Sequence, residues 1–161
     1  MTRISILFIA VALFAGCKKK EDGGAAAGKT TEAKSAGPTK LPKLGLSIDA
    51  PGKVEVGDAI MGEGNMLTGA GVGAMTIEIT AKPQTLDEAK SDAELYSPKN
   101  QKEEKLADGW LLTFENTGSM GKNYFVQMRR DIGGKTYSCS TTGGDANQAA
   151  AVVAACKTLR P

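Results

Sequence analysis

The chain has 161 residues, 20 basic and 18 acidic, with three cysteines and no histidine. The missing imidazole removes the commonest general base and the commonest metal ligand. The net charge of +2 is uneven: residues 18–40 hold six lysines against three acids, while residues 41–161 hold 13 basic against 15 acidic side chains, so nothing in the larger part seeks nucleic acid.

The chain opens with Arg3 and an apolar run over residues 4–14 broken only by Ser5. A helix of that length rises about 17 Å against roughly 30 Å of bilayer hydrocarbon, so the run reads as an export signal and not as a span. Leu13-Phe14-Ala15-Gly16-Cys17 ends it, with small residues just before the cysteine. This string resembles the signal of bacterial lipoproteins, although Phe14 and Leu13 stand three and four before the cysteine where Leu-Ala-Gly-Cys is usual. The resemblance implies that residues 1–16 are removed and that Cys17 is acylated and becomes the amino terminus. Each buried acyl methylene contributes about 0.8 kcal/mol, so two or three chains hold a protein on a bilayer. Lys18, Lys19 and Lys20 then lie near the headgroups, each adding about 1 kcal/mol at an anionic surface. A lysine after the cysteine resembles lipoproteins sorted to the outer membrane. The expected location is the cell envelope, lipid-anchored, on the periplasmic face of the outer membrane.

Removal of the leader leaves 145 residues, enough for one domain. After Cys17, residues 18–40 are mostly Gly, Ala, Lys, Thr and Ser with three acids and one proline, and residues 17–40 read as a lipidated, disordered basic tether. Within it, Gly23-Gly24-Ala25-Ala26-Ala27-Gly28-Lys29-Thr30 fits the phosphate-loop pattern at every position. That chemistry needs a buried strand before the loop and a helix after it, and the string has neither. It reads as coincidence in a low-complexity segment.

The globular part is expected over residues 41–161. Leu44, Leu46 and Ile48 alternate with polar residues and predict a strand. Asp49-Ala50-Pro51-Gly52 predicts a turn, residues 53–56 a short second strand, and Met66-Leu67 a weak one. Met75, Ile77 and Ile79 predict another strand, preceded by Gly69-Ala70-Gly71-Val72-Gly73-Ala74. That string fits a loose dinucleotide fingerprint but runs into a strand and not a helix, so it reads as a loop or bent strand. Thr85 and Glu88 form a capping box for a helix with a Leu86, Ala89, Ala93, Tyr96 stripe, stopped at Ser97-Pro98. Residues 101–107 read as a charged connection or edge strand. Residues 110–116, 123–130 and 135–141 predict three strands. Trp110, Leu112 and Phe114 fall on one face and Leu111 on the other, so the sheet should be at least partly covered on both sides. A last helix starts at Asp145, with Gln148 completing a second box, and buries Ala149, Val152, Val153, Cys156 and Leu159; Lys157 and Arg160 suit its C-terminal end.

With Cys17 committed to lipid, Cys139 and Cys156 remain. An exported chain meets an oxidising compartment, and a strand followed by a helix folding back over its own sheet brings the two together. A Cys139–Cys156 disulfide is expected, closing a loop worth about 3 kcal/mol; two free buried thiols are the alternative. The whole reads as a single α+β domain, mainly antiparallel sheet with a mid-chain helix and a C-terminal helix. The hairpin run, the Tyr137-x-Cys139 strand and the terminal helix ending Cys156-Lys157-Thr158-Leu159 resemble the PsbP and Mog-like superfamily. The resemblance implies an α/β/α sandwich and a role in binding or assembly, and it assigns no functional residue.

No catalytic, cofactor-binding or metal-ligating constellation stands out. Trp110, Phe114, Tyr124, Phe125 and Tyr137 form either core or a ligand platform. Met61, Met66, Met75 and Met120 have thioethers that suit Cu(I), but their irregular spacing reads as core filler. Glu103-Glu104 and Arg129-Arg130 read as solvated faces or rim pairs. The expected function is therefore non-catalytic: an envelope lipoprotein whose domain binds or supports another envelope component. Its partners are the bilayer, through Cys17, and an envelope protein, with no nucleic acid and no cofactor. The alternatives are a small hydrolase using carboxylates or a Ser-Lys pair, and a small-ligand carrier with a closed apolar cavity.

Overall fold

The computed structural model describes residues 37–161. The leader, Cys17, the three following lysines and the phosphate-loop-like string at residues 23–30 lie outside the described residues. A short hairpin comes first, β1 (Thr39–Leu41) paired with β2 (Leu46–Ile48). Thr39 and Lys40, which composition assigns to the tether, thus belong to the fold. Leu41, Leu44, Leu46 and Ile48 are buried together, although Leu44 sits in the turn. Gly45 closes that turn at a φ of +66°, a conformation that a side chain disfavours.

Next, β3 (Glu55–Asp58), β4 (Gly64–Gly69) and β5 (Gly73–Ile79) form an antiparallel meander. The helix α1 (Leu86–Ala93), extended by a 3-10 turn at Glu94–Tyr96, carries the chain to the far edge of the sheet. There β6 (Lys99–Leu106), β7 (Gly109–Gly118), β8 (Gly121–Ile132) and β9 (Lys135–Gly143) return as a second meander. β9 pairs with β5, giving seven strands in the order β3-β4-β5-β9-β8-β7-β6, every neighbour antiparallel. α2 (Ala146–Lys157) follows. This is a single α+β domain, mainly antiparallel, with a mid-chain and a C-terminal helix. Among the described residues no helix is long and apolar enough to cross a membrane.

Residues 101–106 are strand despite their charge because an edge strand needs only one neighbour. Charged side chains, with a register shift between Lys99 and Lys102, protect its free side from another chain. β7 and β8 run longer than apolar alternation predicts, since the ladder continues through polar pairs to Gly118↔Gly121. At Gly109 a Cβ would lie 1.9 Å from the Arg129 carbonyl oxygen, so the β6–β7 turn admits no side chain.

Both helices start on their expected caps. Thr85 Oγ1 accepts from the Glu88 amide at 3.2 Å, and Glu88 accepts from the Thr85 amide at 2.7 Å. Asp145 accepts from the amides of Asn147 and Gln148 at 2.7 and 3.2 Å. The second box is not completed: Gln148 donates instead to the Ala70 carbonyl at 3.0 Å, tying α2 to the β4–β5 turn. That turn holds the dinucleotide-like string, which is a tight hairpin connection.

Side chains along β7 alternate between two apolar clusters. Trp110, Leu112 and Phe114 join Phe125 and the α1 residues Ala89 and Ala93. Leu111 joins Val126, Met128, Cys139, the α2 residues Val152, Ala155 and Cys156, and the β1–β2 hairpin. Successive strand residues point to opposite faces, so α1 and α2 cover opposite sides of the sheet. Tyr96, expected in the α1 stripe, is 49% exposed but lies tilted against Phe125 at 5.2 Å between ring centres.

Candidate functional site

α2 is fixed over the centre of the sheet by three ties. Cys156 is disulfide-bonded to Cys139 on β9, with 6.1 Å between Cα atoms and both residues buried. Gln148 holds its first turn. Arg130 on β8 holds its last, donating at 2.9 Å to the carbonyls of both Cys156 and Lys157 while pairing with Asp108. The last carbonyls of a helix lack intrahelical partners; that of Cys156 also accepts from the Leu159 amide at 3.3 Å, and a cation there meets the negative end of the helix dipole. The sequence assigns this capping to Lys157 and Arg160. Arg160 does so, donating at 2.8 Å to the carbonyl of the cap residue Thr158 while pairing with Asp49, whereas Lys157 pairs with Glu104.

Because α2 lies over β8 and β9, the same face of the sheet is left open toward the β6 edge. The outcome is an open groove of about 980 Å³. Its floor is Leu111 and Thr113 on β7 with Tyr124 and Val126 on β8, residues that share a face by register. Ala146, Ala149, Ala150 and Val153 form one wall, spaced three and four apart as one stripe of α2. Alanines do not reach across to the edge strand. Lys102 and Glu104 of β6 form the opposite lip.

Ion pairs close both ends. Glu104 meets Lys157 at 2.7 Å, joining β6 to the last turn of α2. At the other end Glu115 meets Lys122 at 3.2 Å, and the Asn100 amide also donates to Glu115. The Lys122 hydrogen bond first, then Asn100, holds the Glu115 carboxyl below the usual carboxylate range, and Lys122 is raised in turn. Lys122 also lies 5.8 Å from the centre of the Tyr124 ring.

Adjacent charges that read as rim pairs turn out to serve opposite faces. Glu103 pairs with Lys90 of α1 and Glu104 with Lys157 of α2, so the edge strand is clamped to both helices. Arg129 turns to the α1 side, where it binds Asp131 and the Gln84 carbonyl; Arg130 turns to α2. Arg129 borders a smaller polar cleft of about 430 Å³ with Lys82, Gln84, Gln127, Ser138 and Ser140. There the Trp110 indole donates to the same Gln84 carbonyl at 3.2 Å, so Trp110 and Arg129 converge on one backbone oxygen.

Of the aromatic residues, Trp110, Phe114, Phe125 and Tyr137 are core, and Tyr124 alone lines the groove floor with its side-chain face. The methionines divide: Met75 is buried, but Met61 and Met120 are exposed at hairpin tips on opposite ends of the sheet, so for those two the core-filler reading fails. Among the described residues no group of three His, Cys, Asp or Glu side chains could hold a metal ion. The lysine amines that donate side-chain hydrogen bonds there do so to glutamates, not to serines. No protein-family model matches the chain, and no curated protein matches it.

Proposed function

We propose that this chain is a lipid-anchored envelope protein whose domain binds another envelope component in the groove between α2 and the β6–β7 edge. The observation that carries this reading is the groove itself, about 980 Å³ with an apolar floor and ion-paired ends. Small-molecule and partner sites are typically concave and mostly apolar, with a few placed polar groups. In this reading residues 1–16 are a cleaved leader, Cys17 carries the acyl chains, Lys18, Lys19 and Lys20 lie at the headgroups, and the tether lets the domain face the periplasm from the outer membrane. The two helices on opposite sides of an antiparallel sheet, joined in this element order, support an α/β/α sandwich of the PsbP and Mog-like type.

A photo-crosslinking side chain placed at Ala150 in intact cells tests the binding face. A discrete crosslinked species, absent when the crosslinker sits at exposed Asp87 on the opposite helix, is the expected result. Equal, diffuse labelling from both positions refutes the groove as the binding face. Cys17→Ala should move the protein from the membrane to the soluble fraction; retention on the membrane refutes the anchor.

A further inference from the structure

The charges around the groove are unequally compensated. Glu104 is matched by Lys157 and Glu115 by Lys122, and Glu103 turns away to Lys90 on the other face. Lys102 is the charged side chain lining the groove that has no counter-ion among the described residues. It shares a face with Thr113, directly opposite it in the β6–β7 ladder. Below it lie the apolar floor at Leu111 and Val126 and the small side chains of α2. An apolar trough with one unmatched ammonium on its lip is complementary to a molecule with an apolar body and one anionic end.

We infer that the groove takes a single-chain anionic amphiphile. The acyl chain lies along Leu111, Val126, Ala149 and Val153, and a carboxylate or phosphate head meets Lys102. This inference names the ligand class of the proposed binding face and rests on that reading. A volume of about 980 Å³ falls within the span typical of small-molecule sites. A peptide strand adding to β6 would instead meet the register break between Lys99 and Lys102 and a charged edge.

The test is photoaffinity labelling of the full chain, held in phosphatidylcholine vesicles, with hexadecanoate carrying a diazirine. Adducts should map to the α2 stripe and to the β7–β8 floor. Lys102→Glu should cut labelling about tenfold, the loss of one charge-assisted contact. Ala150→Trp, at an exposed position where the fold tolerates bulk, should abolish it by filling the trough. Unlabelled hexadecanoate and lysophosphatidylglycerol serve as competitors; the stronger one identifies a free acid or a phosphate-headed lipid as the source. Scattered adducts unchanged by either variant overturn the inference. So does hexadecanol competing as well as hexadecanoate, because the charge would then select nothing. If amphiphile labelling fails while the Ala150 crosslinker still captures a discrete envelope species, the ligand class falls and the binding face stands.

Discussion

Arg130→Ala should be the most damaging change of a charged side chain in this domain. Its guanidinium, 13% exposed, pairs with Asp108 through Nε at 2.8 and 2.9 Å and through Nη2 at 2.8 Å. Nη1 reaches the Cys156 and Lys157 carbonyls at 2.9 Å each. Truncation leaves a partly buried carboxylate unpaired and the end of α2 without its donor. Breaking a buried ion pair costs about 3–5 kcal/mol; Asp108 is 32% exposed and can be partly rehydrated, which brings the expectation to about 3 kcal/mol. With a urea slope of about 1.5 kcal/mol per molar, the unfolding midpoint should fall by about 2 M. The control is Arg160→Ala: its pair with Asp49 is more exposed, and its loss should cost about 1 kcal/mol or less. Both are measured by equilibrium urea unfolding under non-reducing conditions. Arg130→Lys should recover only part of the loss, since one ammonium cannot bridge a carboxylate and two carbonyls. Equal midpoint shifts for Arg130→Ala and Arg160→Ala would refute the argument that Arg130 locks α2 onto β8.

Replacing Cys139 and Cys156 together by alanine should cost about 3 kcal/mol, read as a lower melting temperature that reducing agent no longer changes. Asn65 is buried, accepting from the Lys43 amide at 3.2 Å and donating to the Gly57 carbonyl at 3.1 Å, so Asn65→Leu should cost about 2 kcal/mol in the same urea assay. Asp49, Glu103 and Glu115 sit below their ordinary values through hydrogen bonds from Arg160, Lys90 and Lys122 in turn. A depressed carboxyl stabilises the fold above its unfolded value, 3.8 for Asp and 4.5 for Glu, and that stability drains as pH falls through the folded value; a melting profile should therefore drop below about pH 4.5. Glu78 runs the other way: burial raises it above 4.5, so its ionisation opposes folding as pH rises through that window. Glu78→Gln should leave stability at pH 4 unchanged and raise it at pH 7, and a loss at pH 7 would show that the carboxylate has a favourable role.

The elements most legible in the sequence were those whose apolar period is backed by local chemistry. The capping box at Thr85 and Glu88 places the start of α1, and alternation from Trp110 to Phe114 and from Tyr124 to Met128 gives the two central strands and their two-sided burial. β3 and β6 were harder to place, because edge strands carry little apolar signal. Val56 is 37% exposed, and β6 has one partly buried leucine, Leu106, so charge there masks strand geometry. The disulfide was readable because a strand and the helix that folds back over it must face each other. The part Arg130 plays at the C-terminal end of α2 was not, since it reaches there from 26 residues away in the chain.

The groove was illegible for a different reason: it arises from what α2 fails to cover. In sequence, Ala146, Ala149 and Ala150 look like ordinary helix formers, and a stripe of alanines normally marks close packing. Here the disulfide and Arg130 hold the helix over β8 and β9, so its alanine side leaves the space toward β6 unfilled. A helix with leucines at those positions would close the gap and extend the core, adding stability at no cost in backbone geometry. Keeping Lys102 beside that gap with no counter-ion among the described residues adds nothing to the fold either. Both features make sense together if the space is filled by something outside the chain. That ties the functional reading to two positions, Ala150 and Lys102, where a change should leave folding almost untouched and alter only what the groove can hold.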